Sequence, residues 1–579
     1  MLVYREDARP VELVDELRRL RASVDDLEAS PGIDAALTLL IEIGELEAAV
    51  ADALAPERDA LSPAASLLRT ATLDAARIWL AARDGVPHAG TPADVAQPLE
   101  ALITMDMNAL PRRVSLRVSE GFAYYALFPD TYVASARAFA DEQRPRSVVC
   151  IGLRSIGTSL SAVAAVSLAA QGIPVTSYTV RPRGHPFDRQ IVLRDDLAAL
   201  WQHAAADGAM FLVIDEGPGL SGSSIASSVL HLEQLGVPRE RIAILPGADP
   251  PAERLRSPAA QDVWRTHRRY IADPAALGLT PQRAFGVREA IDFSAGRWRR
   301  HLYGSEAQWP AVQPQHERWK VFVPATDTLL KFVGLGPYGR AAADRAARLH
   351  AHGLGPRPDA LRNGFLALDY VPGAPLGTGE ANVADAGAIG RYIAQVADVF
   401  PAPRNPPASV LLHMIETNAG EALGCAASAV RAAVGHLAPL VDDTPGAATD
   451  GRMLAHEWVR TTHGLAKVDG LDHHRDHFFP GSQDAAWDLA AAIIELPAGD
   501  RERAALVSAC RRASGDRTIE RRLPFFIAAC AAFRLGYCRM AAVAIAGSDD
   551  ERRFVREAQR YARTLTEALH LPAALPSAP

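Results

Sequence analysis

The stretch that most constrains this chain is residues 210–228, MFLVIDEGPGLSGSSIASS, where a short apolar run meets two adjacent acids, a glycine-rich turn and a helix-like segment. Phe211, Leu212, Val213 and Ile214 form the unbroken apolar run of a strand buried on both faces, as in a parallel sheet. Residues 225–235 then carry apolar side chains at helical spacing and end at Gly236. The pattern predicts strand, loop and helix, with the loop beyond the strand's carboxyl end. Open α/β sheets bind ligands there, and the free N–H groups of a following helix favour phosphate. A nucleotide P-loop is excluded, because it needs lysine where Ser223 stands.

What remains, Asp215 and Glu216 followed by Ser221, Gly222, Ser223 and Ser224, resembles the signature of type I phosphoribosyltransferases, which bind phosphoribosyl pyrophosphate. The resemblance implies that Asp215 and Glu216 hold ribose hydroxyls while Gly217, Ser221, Gly222, Ser223 and Ser224 cradle the 5′-phosphate. Elementary chemistry agrees: carboxylates accept from vicinal hydroxyls, and neutral donors at a helix N-terminus suit a dianion. The loop is one residue longer than the family's usual form, and Gly219 stands about where an acid often lies.

Two earlier strand ends extend the resemblance, which covers residues 113–247. The buried strand SVVCIGL (147–153) ends in Arg154, Ser155, Ile156 and Gly157, where the family's chain order puts its pyrophosphate loop; Arg154, Ser155 and Gly157 would face the leaving diphosphate. The strand at 175–180 leads into RPRGHPFDR, which reads as a mobile cationic loop whose Arg181 and Arg183 fold over a polyanion. Magnesium would travel with the diphosphate. VSLRV and FAYYALF, on either side of Ser119, Glu120 and Gly121, read as strands. No hood recognising a nucleobase is visible.

At 579 residues the chain has room for about three or four domains. Its net charge of −7, with acids and bases interspersed, gives no stripe for nucleic acid and no polybasic segment for a membrane. Five scattered cysteines without CxxC spacing suggest neither a disulfide frame nor a zinc site. Apolar runs such as 485–496 are too short to span a bilayer, so a cytoplasmic location is expected. Residues 1–105 read as helices, at 11–54 and 63–83, suited to domain packing or to homodimer contact.

In the second half, 319–323 and 329–333 read as paired strands that place Lys331 inside an apolar run, which is costly unless it meets a partner. Then come GLGPYG, a helix through Leu349, GLGPRP and GFLALDYVPGAPL. This order resembles the N-lobe and hinge of aminoglycoside-phosphotransferase-like small-molecule kinases, over residues 317–570. The resemblance makes Lys331 the ligand of ATP phosphates, Asp450 the catalytic aspartate and Asp469 a metal ligand, with His456 or Glu457 standing in for the family's metal-binding asparagine; DAAWDLA (484–490) resembles the family's DLA helix start. Thr449 replaces the histidine before the catalytic aspartate, and the helix after Lys331 offers Asp344 in place of a glutamate. DHHRDHFF (472–479) adds a crowded cluster of imidazoles and acids. Helices are expected at 485–496, 501–513 and 523–569, the last broken near Gly547.

The expected architecture is α/β: a helical region (1–105), a phosphoribosyltransferase-like parallel-sheet domain (106–295) and a two-lobed kinase-like α+β domain (296–579). The expected function is phosphoribosyl transfer to a small-molecule acceptor, coupled to ATP-dependent phosphorylation. The competing expectation is a regulatory protein that senses phosphoribosyl pyrophosphate or nucleotides without turnover.

Overall fold

The structure, a computed structural model, describes residues 1–4, 8–86, 90–402, 405–478 and 481–571. The N-terminal part comprises β1 (Ala8–Glu12), α1 (Leu13–Ala29), α2 (Ile33–Leu54), α3 (Pro63–Asp84), α4 (Pro92–Ile103) and β2 (Arg113–Arg117). Ser62 caps α3 by accepting from the Ala65 amide, and Gly85 ends it in the left-handed conformation. The strand VSLRV is present, but its antiparallel partner is β1, not FAYYALF. That second run folds instead as the short helix α5 (Glu120–Ala123) and a turn, because Phe122 and Phe128 are drawn into the core from a non-alternating pattern.

The central layer contains α6 (Pro129–Gln143), β3 (Val148–Leu153), α7 (Gly157–Ala169), β4 (Val175–Val180), β5 (Arg183–His185), β6 (Asp188–Gln190), α8 (Asp195–Ala206), β7 (Met210–Ile214), α9 (Ser223–Gln234), β8 (Ile242–Leu245), α10 (Pro258–Thr266) and β9 (Arg268–Arg269). Five parallel strands run in the order β4-β3-β7-β8-β9. Chain connections leave β3 and β7 in opposite directions, so the topological switch point lies between their carboxyl ends. Helices α1–α4, α6 and α7 share one continuous core with one face of this sheet, while α8, α9 and α10 cover the other. The helical region is therefore an outer layer of the central domain, without a core of its own.

After α11 (Pro281–Phe285), β10 (Ile291–Asp292) and α12 (Arg299–Leu302), the chain enters β11 (Lys320–Val323), β12 (Thr328–Phe332), α13 (Pro337–Ala351), β13 (Pro358–Arg362) and β14 (Phe365–Asp369). These strands make an antiparallel sheet in the order β10-β11-β12-β14-β13. A helical lobe follows, built on Val383–Val399, Ala408–Leu423, Ala485–Glu495, Asp500–Ser514, Ile519–Ala544 and Asp549–Ala568, with the hairpin Trp458–Thr461 and Gly464–Lys467. The final helical stretch breaks at 545–548, around Gly547. Ile519–Ala544 is long and apolar enough to cross a membrane, yet 72% of its apolar window is buried inside the protein, where it carries the core of this lobe. Phe332 and Phe365 join the core of the central domain through Phe128, so the two halves are welded.

Candidate functional site

Three loops predicted to act together emerge at the carboxyl ends of the adjacent strands β4, β3 and β7. Asp215 and Glu216 flank the switch point. The Glu216 amide donates to Asp215 Oδ1 at 2.9 Å, and Glu216 Oε2 accepts from the Gly121 amide at 3.1 Å. Burial pushes the Asp215 carboxyl up to about 7, against the Glu216 amide and Arg181. Burial, with Asp215 beside it, pushes Glu216 up to about 8. Gly219 and Leu220 are exposed at the tip of the loop, and Gly222 takes a left-handed conformation just before α9. The Ser221 and Ser223 hydroxyls lie 3.1 Å apart, and Ser223 Oγ donates to the Pro186 carbonyl at 2.7 Å, tying the loop to the β5–β6 hairpin. The Ser224 carbonyl accepts from Ser227 and Ser228 inside α9.

The cationic residues behave differently from the expectation. Arg154 is buried and pairs with Asp52 at 2.9 Å and with Asp59. Arg181 pairs with Asp52, and Arg183 with Asp59 at 2.7 Å. The segment forms the β5–β6 hairpin, and the arginines expected to face a polyanion instead face carboxylates from the end of α2 and the turn before α3. The sequence could not show this, because Asp52, near the end of a helix, and Asp59, in the turn after it, lie about a hundred residues upstream. Ser155 sits in the turn after β3, while Gly157 meets a packing need: a Cβ there would lie 2.7 Å from the Ile214 carbonyl oxygen.

The second cluster gathers around two buried lysines. Lys331 Nζ lies 2.7 Å from Asp469 and 3.2 Å from Asp472, which also accepts from Arg318 at 3.0 Å. Burial works against the Lys331 charge, but Asp469 and Asp472 outweigh it and hold the ammonium's pKa above its ordinary value. The partner expected on α13, Asp344, is not used. That helix contributes Arg345, whose guanidinium donates to the carbonyls of Ala448, Thr449 and Gly470 and so ties together the segments bearing Asp450 and Asp469.

Asp450 is fully buried. It accepts from Tyr392 at 2.6 Å, pairs with Lys467 at 3.0 Å and lies 3.4 Å from His473. Burial opposes its charge, but Lys467 and His473 bring the carboxyl down to about 2. Asp488, in the DLA segment, accepts from the amides of Asp450 and Gly451 at 2.8 and 2.9 Å, which fixes the loop's backbone. Lys467 also binds Glu457 at 2.9 Å. Sequence reading missed Lys467, Tyr392 and Arg345. For Lys467 the signal was available, since LAKVD puts a lysine in an apolar strand just as TLLKF does.

His456 is a correction. It stacks on Trp298 with ring centroids 5.3 Å apart, and burial, reinforced by Arg452, lowers its pKa to about 3. Among the described residues, two carboxylate and imidazole groupings stand elsewhere: Asp469, Asp472 and His473, and Asp450, Glu457 and His473, each with ligand atoms within 4.8 Å of one another. The first suits magnesium, a hard ion that takes one or two carboxylates with phosphate and water oxygens. Its Asp469 side chain is the more open member at 25% exposure.

Lys331 shares its sheet face with Leu329 and, across the strand pair, with Lys320 and Phe322. Phe322 and Leu329 are covered by Phe293, Trp298, Val312 and Tyr303, so residues 293–319 blanket the face that bears Lys331. The indole of Trp298 donates to Glu317, which pairs with Lys320 at 2.9 Å. Behind the Asp450 loop, a small cavity of about 40 Å³ is lined by residues that include Met453, His473, Trp487, Tyr537 and Tyr561.

No protein-family model and no curated protein matches the chain. Among solved structures, the chain is similar to a choline/ethanolamine kinase family protein from Mesorhizobium loti at 15% identity, over 51% of this chain and 96% of that one, with a TM-score of 0.35. It is similar to a glucosamine kinase in complex with glucosamine, ADP and inorganic phosphate at 17% identity, over 43% and 74%, with a TM-score of 0.30. It is also similar to the ADP-bound aminoglycoside phosphotransferase APH(2'')-Ib at 10% identity, over 50% and 96%, with a TM-score of 0.29. These likenesses lie below the level at which they bear on function.

Proposed function

We propose that the C-terminal domain transfers a phosphoryl group from ATP to a hydroxyl of a small molecule. The observation that supports this is the meeting of Lys331, Asp450 and Asp469, far apart in sequence, within one buried cluster. Phosphoryl transfer needs positioning and charge stabilisation more than a covalent nucleophile. Lys331 would neutralise phosphate oxygens, and Asp469 with Asp472 would hold magnesium. Magnesium, when bound, offsets the negative charge of the phosphates. Asp450, kept ionised by Lys467 and steadied by Tyr392, would orient the acceptor hydroxyl. Nucleotide entry requires residues 293–319 to lift from the sheet face that bears Lys331.

The test is ³¹P NMR of ATP and magnesium with a panel of small hydroxyl compounds. A phosphorylated product from the wild type and none from Asp450→Ala supports the proposal. Hydrolysis or transfer at the same rate in both removes it.

A second reading concerns the central domain. Loops from β3, β4 and β7 surround one switch point, with an acid pair on one side and an open phosphate-type loop at the start of α9, which favours phosphoribosyl pyrophosphate as its ligand. Calorimetric titration of phosphoribosyl pyrophosphate into wild type and Asp215→Asn/Glu216→Gln tests it. Affinity unchanged by the double substitution excludes the acid pair as the site.

A further inference from the structure

A cavity of about 380 Å³ opens between the N-terminal helical layer and the C-terminal domain, and neither Asp215 nor Glu216 lines it. That volume is in the range of small-molecule sites, which favour domain interfaces. One wall is built from α1, α2 and the end of β2, the other from the start of α13 and residues 471–475. Asp472, in the second wall, also holds Lys331 at 3.2 Å, so the cavity reaches to within one residue of the lysine cluster.

Charged groups crowd these walls, and most already have partners. Glu16 and Glu42 hold Arg19 at 2.7 and 3.2 Å, and Asp472 holds Arg318 at 3.0 Å. Two groups of opposite sign stand apart from these pairs, one on each wall. Glu45, from α2, takes its hydrogen bonds at Oε1, from the Ser119 amide at 3.1 Å and from the Tyr338 hydroxyl, while among the described residues Oε2 accepts from none. Burial pushes this carboxyl up to about 7, against those two donors. A cation beside Oε2 would favour the ionised form. Arg475, from the other wall, is exposed, and among the described residues its guanidinium makes no hydrogen bond or ion pair. Its backbone is held all the same: the carbonyl accepts from the Tyr124 hydroxyl, and the amide donates to the Asp472 carbonyl at 3.0 Å. Much of the remaining lining is apolar, with Leu116 and Val118 on one wall and Val333, Ala341 and Leu471 on the other. A lone anion would meet Glu45 and a lone cation would meet Arg475, whereas a molecule carrying both charges answers each with its opposite.

We propose that this cavity binds a small zwitterion with an apolar body, an amino acid whose carboxylate faces Arg475 and whose ammonium faces Glu45. The binding rests on neither reading above. The N-terminal layer thereby carries half of a ligand site as well as covering the parallel sheet.

Ligand-observed NMR and equilibrium dialysis on the full chain, with L-leucine, 6-aminohexanoate and the singly charged hexanoate and hexylamine, test the proposal. At least one of the two zwitterions is expected to saturate below about millimolar concentration, with hexanoate and hexylamine at least about tenfold weaker, since each lacks one charge-assisted hydrogen bond. Glu45→Gln keeps an acceptor for Ser119 and Tyr338, and is expected to weaken the zwitterion at least about fivefold while leaving hexanoate no weaker. Arg475→Gln removes an exposed group without a partner, so the thermal midpoint should hold while zwitterion binding falls at least about fivefold and hexylamine is spared. No saturation by either zwitterion, equal binding of a singly charged compound, or binding indifferent to Arg475→Gln overturns the proposal.

Discussion

Asp469→Asn is the most informative single change in the lysine cluster. Asp469 accepts from Lys331 at 2.7 Å, while Asp472 lies 3.2 Å from the same ammonium. The substitution therefore removes one charge-assisted hydrogen bond, worth roughly 1.5–3 kcal/mol, without orphaning the lysine. With an unfolding entropy of about 2 cal/mol/K per residue, this lowers the midpoint by about 1–2 °C if the whole chain melts together and by about 3–5 °C if the C-terminal half melts alone. ATP with magnesium at a hundred times its dissociation constant adds about 2.7 kcal/mol to the wild type. On the same basis its midpoint rises by about 2–5 °C. In Asp469→Asn the part of this rise that depends on magnesium should vanish, because an amide replaces the carboxylate proposed to bind the ion. Differential scanning fluorimetry of the full chain with ATP, with and without magnesium, reads both effects. A rise in Asp469→Asn as large and as magnesium-dependent as in the wild type refutes the assignment, and no rise in the wild type leaves this domain a scaffold.

Asp488→Ala should cost at least about 2 kcal/mol in denaturant unfolding and abolish transfer, because the buried amides of Asp450 and Gly451 lose their acceptor; unchanged stability would show the loop fixed by other contacts. Glu216 has a folded pKa of about 8, raised by burial, against about 4 when unfolded, so the folded state keeps a proton that the unfolded state releases. Its contribution is fully present below about pH 4 and is lost as pH rises towards 8. Glu216→Gln should flatten that decline in a series of urea melts, and an unaltered slope would contradict the buried carboxyl. Asp52→Asn should free Arg181 and part of Arg154, raising inorganic pyrophosphate affinity by up to about tenfold, or about 1.4 kcal/mol; calorimetry showing no gain would mean that these arginines serve packing alone.

Local chemistry was legible wherever a short pattern decides a local structure. Apolar runs bounded by glycine and acids gave β3, β7 and the β11–β12 hairpin, since a strand buried on both faces admits little else. The same reasoning marked Lys331 as a group that must find a partner, and it would have marked Lys467. Which partner was beyond the sequence. Asp469 and Asp472 reach Lys331 from more than 130 residues away, and α13 answers with Arg345 where a carboxylate was expected. FAYYALF shows the opposite failure: strand propensity is real there, but Phe122 and Phe128 lower the free energy more by entering a shared core than by alternating across a sheet edge. The largest differences lie at Arg154, Arg181 and Arg183, where the sequence displays three cations and only the packing of α2 and α3 against the sheet supplies Asp52 and Asp59. The sequence by itself determined the strands buried on both faces, β3 and β7, and which charges are too deep to stay unpaired, because an unbroken apolar run and a lysine inside one are both read directly along the chain. The tertiary structure alone decided which opposite charge meets each of them, because a Coulomb interaction depends on distance in space and takes no account of position in the chain.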